Sequence, residues 1–302
     1  MPDDRARTGR EDADVEAVTR SFVVAGASGR TGGVVAAALL ERGQRVRAIV
    51  HREGTGEELR AKGAEVIVAS LTDERALERA LAGASGLYAL LPEEPAVADF
   101  HAHRRRMADA MASAVRKARV PHVVFLSAHA ASLAEGNGPA SDLHYAEEVL
   151  RSSGCKLTVL RSSYFQDNVL GVAEIARHQG IYPNFFPSAD APFPTVATRD
   201  VGLLAARQLV EPPPQSEIVD VIGPAYSVRD FAAHLSRAIG TPVRIVDIPP
   251  EAHVASLTQA GMPPAFAEIL AEMFACVASG RVSPQGDRAE RGTTELDDLL
   301  SE

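Results

Sequence analysis

The stretch Ser21-Phe22-Val23-Val24-Ala25-Gly26-Ala27-Ser28-Gly29-Arg30-Thr31-Gly32-Gly33, continuing into Val34-Val35-Ala36-Ala37-Ala38-Leu39-Leu40, decides how the rest of the chain reads. An apolar run short enough for one buried strand breaks into a loop with glycine at every third position, then resumes as an alanine- and leucine-rich helix. That is a strand-loop-helix phosphate cradle. Gly26 permits a sharp turn, Gly29 leaves room for a pyrophosphate against the backbone, and Gly32 lets the helix lie close to the strand. The free N–H groups at the helix start, at the positive end of its dipole, then face the anion. Ser28, Arg30 and Thr31 complete the loop as candidate cofactor contacts.

A glycine triplet alone also fits an ordinary turn, so its surroundings carry the assignment. After Gly43, Arg45 to Val50 reads as a second strand, and apolar strands then alternate with helices. The strands are Ala64 to Ala69, Gly86 to Leu91, His122 to Leu126 and Lys156 to Leu160; the helices are Glu57 to Lys62, Asp73 to Leu81, Val97 to Ala118 and Asp142 to Ser152. Strands apolar on both faces and separated by helices predict an α/β fold, a doubly wound parallel sheet of Rossmann type. Beyond Arg161 the rhythm changes. Gly180 to Pro194, rich in Pro, Phe and Asn, reads as a binding loop. Helices at Arg199 to Val210, Val228 to Ile239, Pro250 to Ala260 and Pro264 to Ala278, with strands at Ile218 to Ile222 and Val243 to Ile248, predict a smaller C-terminal α/β lobe. The expected division is a flexible extension (1–20), a dinucleotide-binding core (21–160) and a lobe intertwined with that core (161–302).

Composition narrows the function. A net charge of -9 argues against a nucleic-acid surface, and the basic cluster His101 to Arg106 reads as the solvated face of a helix. Two cysteines, Cys155 and Cys276, are too few for a disulfide framework, and a reducing cytoplasm is expected. Residues 1–20 are charged, unlike a secretory signal, and no apolar run reaches the length of a membrane span. The nine histidines are scattered without ligand spacing, so no metal is expected. Nothing in the sequence sets the oligomeric state.

The fingerprint Gly26-x-x-Gly29-x-x-Gly32, the strand end Arg47 to Arg52, and Leu160-Arg161-Ser162-Ser163-Tyr164-Phe165-Gln166-Asp167-Asn168 resemble the NmrA-like, NAD(P)-binding group of atypical short-chain dehydrogenases. Gly223-Pro224, Ser227 to Ala232 and Thr293-Thr294-Glu295-Leu296 are similar to that family's C-terminal pattern. The resemblance implies either quinone-type reductases or redox-sensing regulators that bind the dinucleotide without consuming it.

Cofactor choice is read at the end of the second strand, where an acid would receive a ribose 2′-OH and repel a 2′-phosphate. This chain offers His51 and Arg52, so Arg52 with Arg30 is expected to clamp a 2′-phosphate, favouring NADP(H) over NAD(H). The family's usual arginine falls where His51 stands. Where the family often places an Asp toward the adenine, this chain has Ser70 followed by Leu71; Leu90, Leu91 and Pro92 are expected along the adenine and ribose.

The chemistry is less determined. The superfamily's Tyr-x-x-x-Lys pair is broken, because Tyr145 is followed four residues later by Val149, and a phenol without a neighbouring ammonium is a poor base at neutral pH. Ser127 stands in the place of the superfamily's serine, and His129 and His144 are further candidate acids, with strand capping and surface placement as alternatives. Tyr164, Phe165, Phe185 and Phe186 are expected either to wall an apolar substrate pocket or to pack the lobe. Two functions follow: hydride transfer from NADPH to a small apolar or quinone-like acceptor, or an NADP(H)-binding redox sensor with a protein partner.

Overall fold

A computed structural model describes residues 19–301, so the expected extension lies outside the described residues except for Thr19 and Arg20. The alternation runs β1 (Ser21–Val24), α1 (Arg30–Glu41), β2 (Arg45–Val50), α2 (Glu57–Ala61), β3 (Glu65–Val68), α3 (Glu74–Leu81), β4 (Gly86–Ala89), α4 (Phe100–Ala118), β5 (His122–Ala128), α5 (Ala140–Arg151) and β6 (Lys156–Ser162). Then follow β7 (Tyr164–Phe165), α6 (Val169–Gln179), β8 (Ile181–Asn184), β9 (Phe193–Val196), α7 (Thr198–Val210), β10 (Glu217–Ile222) and β11 (Ala225–Tyr226). The chain closes with α8 (Val228–Ile239), β12 (Arg244–Asp247), α9 (His253–Gln259), α10 (Pro264–Ala278), β13 (Arg288–Arg291) and α11 (Leu296–Leu300). Local signals set several boundaries: Asp73 and Asp99 cap α3 and α4 through their side chains, and Ser227 with Asp230 forms a capping box on α8.

Eight strands form one sheet in the order β3-β2-β1-β4-β5-β6-β10-β13, parallel throughout. Its order reverses between β1 and β4, which opens a crevice at their carboxyl ends. Side chains alternate between two cores. Val23, Leu87, Phe125 and Val159 pack with α3, α4 and α5, while Phe22, Val24, Tyr88 and Leu160 pack with α1 and α7. A third cluster joins α6, α8 and α11 in the lobe.

The second half departs from its sequence reading in three ways. Gly180 to Pro194 is not one loop: β8 pairs with β12, and β9 pairs with β7 and β11. Proline in both strands hid them, since Pro cannot donate to a ladder and is confined to sheet margins. Helix α6 was masked by its modest apolar stripe. Strand β13, Arg-Ala-Glu-Arg, has no apolar pattern because it closes the sheet edge, where charge is tolerated. Residues after 161 are thus divided between the main sheet and the lobe. The terminal segment is held by side chains: Thr294 donates to Asp200 through N (2.9 Å) and Oγ1 (2.8 Å), and Tyr226 donates to Glu295 while accepting Leu296 N–H.

At the amino ends of β5 and β6, His122 is buried, its Nε2 3.0 Å from Thr158 Oγ1 and its Nδ1 without a hydrogen-bond partner. Burial, reinforced by Lys156, pushes its pKa down from 6.5 to about 4. The folded protein therefore binds this proton less readily than the unfolded chain. Its stability is full above pH 6.5 and falls between pH 6.5 and 4, by about 3 kcal/mol in total. Urea midpoints from pH 7 to 4.5 are expected to fall less in His122→Gln than in the unsubstituted protein.

Candidate active site

The phosphate loop is shaped by contacts in which a side chain would intrude. Gly26 has φ +60°, and a Cβ there would lie 3.1 Å from Leu90 Cδ2. At Gly32 a Cβ would lie 2.3 Å from the Gly26 carbonyl oxygen, so α1 approaches the loop as closely as backbone allows. Gly29 caps α1 without a side chain over its first turn, and that turn contains no acid. Its donors, at the positive end of the helix, are left for an anion. Ser28, Gly29 and Arg30 are exposed at this rim, and Thr31 is buried behind it. These residues fit a dinucleotide pyrophosphate.

Leu90 packs over Gly26 from the end of β4, with Leu91 buried and Pro92 half-buried beside it. His51 and Arg52 lie exposed in the turn after β2, a turn fixed by Thr55 Oγ1 donating to the Arg52 carbonyl at 2.7 Å. Arg30 is exposed on the α1 side, where its Nη1 donates to the Asp167 carbonyl at 3.2 Å, on the β6 side of the crevice. Ser70 is also occupied. Its Oγ accepts from Thr72 N at 3.2 Å and lies 2.8 Å from Thr72 Oγ1, shaping the turn into α3, while Leu71 is buried.

Of the candidate acids, Ser127, His144 and Tyr145 are hydrogen-bonded to protein groups, whereas the buried His129 Nε2 has no hydrogen-bond partner. Ser127 Oγ donates to Glu147 Oε1 at 2.6 Å, and Glu147 is gripped bidentately by Arg161 at 3.0 and 2.7 Å. Ser127, Arg161 and Asp220 are register partners across β5, β6 and β10, so they project to one face as a buried polar row. His129 adds to it, with Nε2 3.6 Å from Asp220 Oδ1; burial, aided by Arg161, lowers its pKa against the opposing pull of Asp220. His144 donates from Nδ1 to the Ala131 carbonyl at 2.9 Å, and its Nε2 lies 3.5 Å from Glu148. Tyr145 donates to Asp109 at 2.7 Å on α4, a bond that raises its pKa, and it faces Arg105 across the seam of α4 and α5. Its hydroxyl proton is directed at Asp109, and Tyr145→Phe is expected to change turnover less than about twofold, checked by steady-state kinetics.

Three of the four aromatic residues are joined through Phe274 of α10, which meets Phe186 edge-on at 5.7 Å as well as Phe185, and only Phe165 lies apart. Tyr164, Phe186 and Phe193 form one cluster with centroids 4.8 to 5.7 Å apart, and Phe185 stacks on Phe274 at 5.0 Å. Phe165, next along the strand, points into the core beneath α1 and α7. Sequence reasoning gave no role to Gln166 and Asp167. The buried Gln166 amide donates to Thr195 Oγ1 and to the Thr294 carbonyl, and Asp167 accepts from Thr198 N and Oγ1 at the start of α7. The basic cluster on α4 is a solvated face only in part: Arg105 and Arg106 are exposed, whereas Arg104 is 2 % exposed, and His101 and Arg105 both donate to the buried Asp142. A visible signal was present, since Arg104 and Glu147 are charged residues within apolar stripes of their helices.

Among the described residues no group of three or more His, Cys, Asp or Glu side chains could hold a metal, and no helix is long and apolar enough to cross a membrane. The chain is 28 % identical over 263 residues to the NAD(P)H azoreductase of Xenophilus azovorans, covering 84 % of this chain and 86 % of that protein. It superposes on the NADPH-dependent quinone oxidoreductase of Escherichia coli, solved with NADPH, with a TM-score of 0.77 at 23 % identity over 93 % and 98 % of the two chains. The negative transcriptional regulator NmrA shares the fold at a TM-score of 0.67 and 18 % identity, over 87 % and 84 %. The pattern that defines the NmrA-like family matches residues 19–295. The glycine cradle, the parallel sheet and this match together place the chain in the NmrA-like family.

Proposed function

We propose that this protein is an NAD(P)H-dependent reductase of a small apolar or quinone-like acceptor, with NADPH its preferred donor. The carrying observation is the cradle: a glycine-capped α1 with no acid in its first turn, packed on Gly26 at a distance only Gly32 allows. The names of the azoreductase and quinone oxidoreductase relatives support the same reading. A bound reduced nicotinamide supplies hydride. The chain's part is to hold it at the crevice and to bring the acceptor in from the lobe side, where Tyr164, Phe186 and Phe193 offer apolar surface. A quinone that has accepted hydride needs one proton, which water supplies, so the hydrogen bonds held by Tyr145 and Ser127 do not bar turnover. NADPH consumption across a quinone, enone and imine panel tests the proposal, and no consumption with any acceptor would overturn it.

NADPH preference rests on Arg52, while Arg30 reaches toward Asp167. Arg52→Glu is expected to weaken NADPH binding about tenfold, the equivalent of about 1.4 kcal/mol, with little change for NADH; calorimetric titration with both cofactors checks it. The broken Tyr-x-x-x-Lys pair favours a second reading, a redox sensor that changes its affinity for a protein partner. Such a sensor distinguishes NADP+ from NADPH in binding, and equal affinities would exclude it. Two free cysteines fit a reducing compartment for either reading.

A further inference from the structure

Arg104 is the charged member of an otherwise apolar face of α4, between Phe100 and Met107. It is 2 % exposed, its guanidinium lies over the Phe100 ring at 5.1 Å, and its Nε has no hydrogen-bond partner. The nearest carboxylate oxygen, Asp142 Oδ2, is 3.8 Å away and is already taken by His101 Nδ1 at 2.9 Å, while Asp142 Oδ1 receives Arg105 Nε at 3.3 Å. Burial lowers the Arg104 pKa, and Glu93, in the loop before α4, and Asp142 oppose that shift only through space. A guanidinium desolvated without a hydrogen-bonded counter-charge is unfavourable unless an anion completes it.

The position indicates where that anion comes from. Helix α4 starts at the loop that leaves the crevice from β4, and Arg104 lies one turn inside it. Phe100 meets Phe266 of α10 with centroids 4.9 Å apart, so the first turn of α4, with Arg104 just inside it, packs against the lobe. The pyrophosphate cradle belongs to α1, on the opposite face of the sheet from α4, and the candidate for a 2′-phosphate follows β2. We infer that Arg104, with His101 beside it, forms a subsite for a negatively charged substituent of the acceptor: a sulfonate, carboxylate or phosphate ester. A planar guanidinium matches such oxygens in a two-point contact. The assignment to the acceptor rests on the reductase reading.

The test is equilibrium titration of the full chain, with and without NADP+, by naphthalene-2-sulfonate and its neutral isostere naphthalene-2-sulfonamide. The sulfonate is expected to bind at least about tenfold tighter, equivalent to a single charge-assisted contact. Arg104→Gln should bring the two ligands within about twofold, and Arg104→Lys should keep an intermediate preference. Because the ratio is taken within one protein, a general loss of folding does not imitate it; if the Gln variant does not fold, a drop in the ratio for the Lys variant carries the test. Equal binding by the unsubstituted protein, or a ratio that survives Arg104→Gln, would overturn the inference. So would a weakened NADP+ affinity with an unchanged ratio, which would assign the guanidinium to a cofactor phosphate. NADPH oxidation with 1,2-naphthoquinone-4-sulfonate and 1,2-naphthoquinone separates the two claims. A sulfonate binding preference without turnover of either quinone keeps the subsite and removes the reductase reading; turnover of both without any preference does the reverse.

Discussion

Gly29→Val is expected to weaken NADPH binding about 100-fold, or about 3 kcal/mol, while leaving the melting temperature within about 2 °C. Gly29 has an ordinary extended backbone, with φ -86° and ψ 170°, and is exposed at the head of α1. A Cβ there would lie 3.2 Å from the Gly26 carbonyl oxygen, a tight contact that needs the loop to give by only a few tenths of an ångström. The branched side chain of valine stands where the phosphates must approach. Gly32→Ala is the contrasting variant. Its Cβ would lie 2.3 Å from the same oxygen and 2.8 Å from the carbonyl carbon, so α1 must move off the loop at a cost of about 3 kcal/mol, or about 5 °C. Thermal melts beside calorimetric NADPH titrations check both. A Gly29→Val protein that melts early, or a Gly32→Ala protein that does not, would refute this division of roles.

Glu147→Ala is expected to destabilise the protein by about 4 kcal/mol, among the largest effects of any single substitution. Glu147 and Arg161 are 2 % and 7 % exposed and joined by two hydrogen bonds, and Ser127 spends its hydroxyl on the same carboxylate. Truncating Glu147 leaves a buried guanidinium without its partner and a buried hydroxyl without an acceptor. The pair itself need not be a net source of stability, since two charges were desolvated to form it. Breaking it from one side is what costs. Urea unfolding measures the loss, and Glu147→Gln, which keeps an acceptor for Ser127, should lose less. Because Ser127 and Arg161 end β5 and β6 at the crevice, turnover is expected to fall with stability in Glu147→Ala.

The contrast between the two halves shows what periodicity can and cannot convey. Strands β1, β2, β4, β5 and β6 are buried along most of their length, so nearly every residue must be apolar and the elements stand out between glycine and polar breaks. Strands β8 and β9 carry proline and β13 carries three charges, because sheet margins relax that demand. The same logic applies to side chains in the site. Glycines announce themselves, since only their absence of a Cβ fits the loop. Ser127, His129, His144 and Tyr145 looked available because a sequence lists donors without their acceptors. Glu147, Asp220, Ala131 and Asp109, which engage or face them, come from other elements.

The amino-acid sequence by itself determined that a parallel α/β sheet carries a glycine-rich strand-loop-helix turn between Gly26 and Gly32, because local glycine spacing and apolar periodicity are sufficient for both. Only the tertiary structure decided which charges are buried and with whom. Arg30 turned to Asp167, Ser127 was absorbed into a Glu147–Arg161 pair, and Arg104 was buried beside an already occupied Asp142. Those outcomes depend on distances between residues far apart in the chain, and desolvation acts only once the surrounding elements have closed around a charge.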